Sequence, residues 1–324
     1  MTILVTGAAG FIGFHMSQAL LARGDEVVGI DNLNDYYPVQ LKRDRLARLA
    51  NEKGFTFVEA DIADMAALQQ AVAGRKITHV VHLAAQAGVR YSLENPAAYA
   101  SSNLIGHLNM LELARHADAL EHMCYASSSS VYGGRTDLPF LETDRVDTPV
   151  SLYAATKRAD ELMSHTYAHL YRIPLTGLRF FTVYGPWGRP DMAYWSFTQK
   201  ILAGDTITVF NHGDMLRDFT YIDDIVDGVV RIVTTGQVGG RDVPHAIYNI
   251  GNNHPERLDD FIAILEKTIG KKAVREELPM QPGDVPATYA DITAIRDDYG
   301  FEPKTDLATG LSRFVAWYRQ HFDV

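Results

Sequence analysis

Only one cysteine, Cys124, occurs in the 324 residues, so no intrachain disulfide can form and the fold must rest on buried apolar area. Nor does any apolar run approach the roughly 18 residues that a membrane-spanning helix requires. The apolar start, Met1–Gly13, lacks both a basic leading segment and a small-residue cleavage site, so it reads as a buried strand and not a signal peptide. Positive charge is in deficit: 30 Lys+Arg stand against 40 Asp+Glu, a formal net charge of −10. No overall basic field therefore draws the protein to nucleic acid or an anionic membrane, and an anionic ligand would need a local basic pocket. Internal repeats, low-complexity tracts and a metal-ligand set are also missing from the reading.

What remains is the balance of an ordinary globule, 47% hydrophobic and 22% charged residues. Against a prior of roughly 150 residues per domain, the length predicts about two domains. The lone cysteine suits a reducing, cytoplasmic compartment.

Short β-branched runs alternate with helical periodicity along the first half. Strands are predicted at Thr2–Thr6, Asp25–Ile30, Phe55–Ala60, Thr78–Leu83, Met123–Ser127 and Leu175–Phe181. Helices are predicted at Phe11–Arg23, closed by Gly24, and at Asn103–Ala114 and Leu152–Tyr171. Such alternation specifies an α/β fold, a doubly wound parallel sheet covered on both faces. Beyond residue 181 the alternation breaks at Tyr184-Gly185-Pro186-Trp187-Gly188-Arg189-Pro190. The expected division is a Rossmann domain over 1–180, rejoined by later segments at about 218–250, and a smaller α/β substrate domain over 181–324.

Gly7-Ala8-Ala9-Gly10-Phe11-Ile12-Gly13 lies between the first strand and the first helix. Glycines there allow a tight turn and close backbone approach, so that a pyrophosphate can rest on the helix N-terminus. Asp31, ending the second strand with Asn32 beside it, would accept the adenosine ribose hydroxyls and repel a 2′-phosphate, which predicts NAD over NADP. Lys42 and Arg43 argue the other way but read as a solvated helix face. Asp61-Ile62 would suit the adenine, and Leu83-Ala84-Ala85 ends the fourth strand where the cofactor crosses.

Tyr153 and Lys157 are spaced i, i+4, so both project from one helix face. Ser128 ends the fifth strand. A phenol ordinarily ionises near pH 10, and bringing it within reach of neutral pH takes about 4 kcal/mol, which an adjacent ammonium and the nicotinium charge would supply. Tyr153 would exchange a proton with a substrate hydroxyl, Lys157 would also hold the nicotinamide ribose, and Ser128 would orient the hydroxyl.

On these residues the whole chain resembles the extended short-chain dehydrogenases/reductases, the sugar-nucleotide epimerase/dehydratase family. The resemblance implies NAD, a UDP-sugar substrate, a catalytic Ser128, Tyr153 and Lys157, and a structural Asn103. It also implies a nucleotide-diphosphate arginine at Arg217, a uridine-side Asp284, and a homodimer built on helices such as 103–114 and 152–171. Where dehydratases of this family carry Thr-Asp-Glu, this chain has Ser128-Ser129-Ser130. Without a carboxyl group there, water elimination lacks its acid and base, which leaves hydride removal and return.

Asn34-Asp35-Tyr36-Tyr37 with Leu41-Lys42 and Arg45-Leu46, and the run Gly185–Ala193, are similar to the uronic-acid branch, the UDP-glucuronate 4-epimerases. In that branch the arginine before Pro-Asp-Met-Ala, here Arg189, faces the substrate carboxylate. Ser129 and Thr182 are expected beside it, and Arg90 at the sugar's border or in a surface ion pair. Thr182 stands where neutral-hexose epimerases usually carry asparagine, which disfavours the alternative of a UDP-glucose/UDP-galactose 4-epimerase. A non-catalytic dinucleotide sensor would have no use for the Ser-Tyr-Lys set.

Overall fold

The structure is a computed structural model that describes residues 1–236, 240–280 and 285–324. The chain begins with β1 (Thr2–Thr6), α1 (Phe11–Ala22), β2 (Glu26–Asp31), α2 (Val39–Leu49), β3 (Phe55–Glu59), α3 (Met65–Val72) and β4 (His79–His82). There follow α4 (Tyr91–Glu94), α5 (Pro96–Tyr99), a π-helical segment over Ala100–Ile105, α6 (Gly106–Arg115), β5 (His122–Ser128), α7 (Leu152–Tyr171) and β6 (Leu175–Phe180). The remainder runs β7 (Thr182–Tyr184), α8 (Ala193–Ala203), β8 (Thr206–Phe210), β9 (Leu216–Tyr221), α9 (Ile222–Thr235), β10 (His245–Ile250) and β11 (Pro255–Arg257). It closes with α10 (Leu258–Ile269), β12 (Val274–Leu278), α11 (Thr293–Tyr299) and α12 (Leu307–Phe322).

Seven strands form one parallel sheet in the order β10-β6-β5-β4-β1-β2-β3. Its central strands are apolar on both faces. Ile3 and Val5 join a core with α1, α9 and the C-terminal half, whereas Leu4, Val28 and Val80 join a second core with α3 and α6. This is the pattern of strands covered by helices on both sides. The order reverses between β1 and β4, and at such a switch point the two following loops splay apart and leave a crevice at the strands' C-terminal ends.

Most boundaries lie within a residue of the sequence reading, and two differences bear on the site. The strand expected over 175–181 ends at Phe180, where the chain leaves β10 and β7 pairs instead with β9. The helix expected from Asn103 becomes regular only at Gly106, and Asn103 itself sits in the π-helical turn 100–105 with its side chain buried. Its side chain accepts from the Gln86 N–H at 2.8 Å and donates to the Gln86 carbonyl at 3.1 Å and Thr156 Oγ1 at 3.0 Å, tying the β4 loop to α7. A π-turn of this kind commonly marks a functional region. The smaller sheets, β11-β9-β7 and β12-β8, lie outside the seven-stranded one, whereas β10 belongs to it.

Candidate active site

The crevice is lined by the glycine loop, by Asp31 and Asn32 after β2, by Asp61 and Ile62 after β3, and by Leu83, Ala84 and Ala85 after β4. Ser128, Tyr153, Lys157 and Arg189 line the same cleft. Gly7 has φ +72° and sits so close to β4 that a Cβ would meet the Ala84 nitrogen at 2.9 Å, and a Cβ on Gly13 would collide with the Gly7 carbonyl. Helix α1 starts at Gly10 with no side-chain cap, so its first N–H groups remain available to an anion. Asp31 accepts from the Ala9 N–H at 3.1 Å and the Leu33 N–H at 2.9 Å. Asp61 accepts from Asn32 at 2.9 Å. This loop, whose turn Cβ atoms on Gly7 and Gly13 would disrupt, with uncapped N–H groups at α1 and a carboxylate at the end of β2, fits a dinucleotide.

Lys42 requires a correction. It is not on a solvated face: it is buried against the cleft, donates to Asn34 Oδ1 at 2.9 Å and lies 3.9 Å from Asp31. Burial lowers its pKa, opposed by the Asp31 charge. Arg43, one position on, is exposed as expected.

Ser151 caps α7 by accepting the Ala154 N–H at 3.1 Å, which fixes the start of the helix that carries Tyr153 and Lys157. The Lys157 ammonium is buried and donates to the Ala126 carbonyl and to Asp160, both at 3.0 Å. Tyr153 stands half-buried with its ring edge-on to Tyr99, centroids 6.1 Å apart. Ser128 donates to Ser130 Oγ at 3.1 Å and accepts the Ser130 N–H at 3.2 Å. Beneath them Glu161 accepts from Ser127 at 2.6 Å and from Arg179 through both oxygens, at 2.8 and 3.0 Å. That buried pair fastens α7 to β5 and β6.

Arg189 forms a two-pronged pair with Asp191, at 3.0 and 2.5 Å, and Tyr36 donates to the same carboxylate at 3.1 Å. Burial would raise the Asp191 pKa, but the Arg189 charge and hydrogen bonds outweigh it and hold the carboxyl below the usual range. Burial and the Asp191 charge push Tyr36 up to about 12.

Five expected substrate residues stand outside this lining or outside the described residues. Ser129 and Thr182 adjoin the cleft in sequence without lining it. Arg217, on β9, donates to the Leu216 and Pro286 carbonyls at 2.9 and 3.2 Å. Asp284 lies outside the described residues. Arg90 is exposed outside this lining, with its guanidinium over the Phe210 ring, 5.3 Å from the centroid.

Some residues escaped the sequence reading. Asp218, beside Arg217, is buried and accepts the N–H groups of Asn252, Ala290 and Asn253 at 2.6, 3.0 and 3.1 Å, which anchors β9. Its invisible partners are main-chain groups. Asp160 and Glu161 stand three and four residues after Lys157, a helical spacing that is the one sequence signal of their inward face.

A doubly wound sheet with a glycine cradle at its switch point and a Ser-Tyr-Lys set beside it defines a dinucleotide-binding protein of the short-chain dehydrogenase type. More particularly, the chain belongs to the NAD dependent epimerase/dehydratase family, whose model matches residues 3–251. It is 50% identical over 333 residues to UDP-glucuronate 4-epimerase 2 of Arabidopsis thaliana, covering 99% of this chain and 76% of that one. Among solved structures it is similar to the UDP-glucuronic acid 4-epimerase of Bacillus cereus in complex with UDP-glucuronic acid and NAD, with a TM-score of 0.90 and 36% identity over 99% and 100% of the two chains. The UDP-glucose 4-epimerase of Thermotoga maritima, with UDP-glucose, matches at a TM-score of 0.88 and 30% identity over 99% and 100%.

Proposed function

We propose that this chain is an NAD-dependent isomerase that inverts C4 of a UDP-uronic acid, interconverting UDP-glucuronate and UDP-galacturonate. The observation that carries the choice of sugar is Arg189, a guanidinium in the same cleft as Ser128, Tyr153 and Lys157. A uronate carries a carboxylate that a neutral hexose lacks, and a planar fork of donors is its natural partner. The family and the relatives named above support the same reading.

NAD, held by the glycine cradle and Asp31, would supply the chemistry of accepting a hydride from C4 and returning it to the opposite face. Tyr153 takes the C4 hydroxyl proton as the ketone forms and returns it as the alcohol is restored. Ser128 orients that hydroxyl. Lys157, fixed by Ala126 and Asp160 on the same helix face as Tyr153, would hold the nicotinamide ribose and favour the phenolate. Asn32, Asp61, Ile62, Leu83, Ala84 and Ala85, which line the same cleft, would hold the adenosine and ribose. Ser129, Thr182, Arg189 and Arg217 serve the sugar and diphosphate, and Asp284 and Arg90 belong to the same substrate side.

The 4-keto uronate is a β-keto acid that can lose CO₂. Arg189, with Thr182 or Ser129, holds the carboxylate near the carbonyl plane, a geometry that disfavours C–C cleavage. The division into a cofactor domain over 1–180 and a substrate domain over 181–324, with β10 returned to the first, follows from this reading. A homodimer is supported by Ile105, Leu108 and Leu162, which remain exposed on the helical layer that includes α6 and α7. The buried, unpaired Cys124 suits a cytoplasmic setting.

Incubation with UDP-glucuronate and with UDP-glucose, each product identified by NMR, tests the proposal. UDP-galacturonate should form from the first and nothing from the second. Arg189→Ala should lose that selectivity and release UDP-pentose; an unchanged product profile and affinity would sink the assignment of Arg189.

A further inference from the structure

Arg45 lies on α2 and is fully buried at 0% exposure. Its guanidinium makes five hydrogen bonds, all to neutral acceptors. Nη1 donates to the Ala9 carbonyl and the Tyr37 hydroxyl, each at 2.8 Å. Nε and Nη2 donate to the Trp187 carbonyl at 3.1 and 2.7 Å, and Nη2 also reaches the Gly188 carbonyl at 2.8 Å. One side chain thus joins the glycine loop to the segment that immediately precedes Arg189.

Both ends of this link are constrained. The Ala9 peptide is gripped twice, because its N–H donates to Asp31 while its carbonyl accepts from Arg45. At the other end, Trp187 sits in the left-handed region at φ +60°, where a bulky side chain is seldom found unless its surroundings impose it. Three of the five Arg45 bonds fall on the carbonyls of Trp187 and its neighbour. The Arg189 N–H then donates to the Tyr194 hydroxyl at 3.0 Å, and a side chain on Gly188 would collide with the same tyrosine. The turn is held from α2 on one side and α8 on the other, with Arg189 projecting from it into the cleft.

We propose that Arg45 is a positioning residue: by linking the cofactor loop to the Trp187-Gly188 turn, it places Arg189 for the substrate carboxylate and so sets the preference for a uronic acid. This rests on the function proposed above. Its chemistry requires arginine, since five bonds from three nitrogens need a guanidinium and a lysine ammonium has only three donors on a flexible stem.

The test compares dissociation constants of UDP-glucuronate, UDP-xylose and UDP by calorimetry on NAD-loaded protein. UDP-xylose is the same ligand without its C6 carboxylate. In Arg45→Lys the preference for UDP-glucuronate over UDP-xylose should fall about tenfold while UDP affinity stays within about twofold of wild type. A purely structural brace would weaken all three ligands alike, and that outcome, or an unchanged ratio, overturns the proposal. Should Arg45→Lys not fold, Tyr37→Phe removes one anchor of the guanidinium and should lower the ratio about threefold; an intact ratio there is equally fatal. A wild type with no preference for UDP-glucuronate refutes the uronate reading itself, whereas a preference kept intact in the variants refutes only the role of Arg45.

Discussion

Replacing Glu161 by Gln should be among the most damaging isosteric changes in this protein, although residue 161 does not line the cleft. The Glu161 carboxylate and the Arg179 guanidinium are about 1–2% exposed, so neither charge is hydrated. Burial pushes the Glu161 pKa up, but the hydrogen bonds and charge of Arg179, with Ser127 and Arg158, outweigh it and hold the carboxyl below the usual range. An amide leaves Arg179 buried without a counter-charge and turns an N–H₂ toward one of its donors. The cost of orphaning a buried charge is about 3–5 kcal/mol. Arg158, 27% exposed, can turn to Asp147 and loses little. Arg179 keeps its bond to the Tyr132 hydroxyl at 3.0 Å, which favours the lower end of the range. At about 2–3 °C per kcal/mol for a chain of this size, the melting temperature should drop by roughly 6–10 °C.

The assay is thermal and urea denaturation of Glu161→Gln, Arg179→Met and the double variant. Because the penalty comes from the charge left behind, the double variant should recover more than half of the loss seen in Glu161→Gln. The pH dependence has a defined sign. A carboxyl held below its unfolded value binds fewer protons folded than unfolded, so its contribution is present above pH about 4.3 and fades as pH falls through the folded value. The gap between wild type and Glu161→Gln should therefore narrow on acidification. A melting temperature within about 2 °C of wild type at pH 7, or a double variant less stable than both singles, would refute the reasoning.

Asp160 predicts the opposite slope. Burial, only partly offset by Lys157, pushes its carboxyl up to about 6. The folded state then holds more protons than the unfolded state between pH about 4 and 6, so wild-type stability falls across that window by up to about 3 kcal/mol relative to Asp160→Asn; urea titrations at both ends would show a constant difference if the reasoning is wrong. Gly13→Ala should yield protein without NAD, because the added methyl meets the Gly7 carbonyl and the loop must open. Extraction of cofactor from the purified variant measures this, and an unaltered NAD content would count against the cradle.

How much of this was legible in the sequence depends on what each residue's periodicity encodes. β1 was readable because Ile3, Leu4 and Val5 are buried to both sides, and a continuous apolar run can mean little else at that length. β11, three residues long, carries too few positions for any period to register. β7, at residues 182–184 just beyond the 175–181 run, is likewise too short for a period to register, and it is set apart from β6 by pairing with β9 and not β10. Tyr153, Lys157 and Ser128 were visible because their chemistry is tied to fixed spacing. Arg217 and Arg189 came from resemblance, and only the second lines the cleft with the first three.

Helix α2 shows why the reading failed where it did. Its buried positions are Leu41, Lys42, Arg45 and Leu49, which have the spacing of a core face. Two of the four are cations, so hydropathy pointed that face toward solvent. The inference from net charge, that an anionic ligand would need a local basic pocket, is met by cations of this buried kind. A chain with ten more acidic than basic residues places Lys42, Lys157 and Arg189 around one cleft, with Arg45 directly behind it. Each is fixed by acceptors within the fold: Asn34, the Ala126 carbonyl with Asp160, Asp191, and the carbonyls of Ala9, Trp187 and Gly188. Cations held in this way need no reorganisation when an anionic ligand arrives, so the affinity for a dinucleotide and a sugar nucleotide is set by local placement, against the sign of the molecule as a whole.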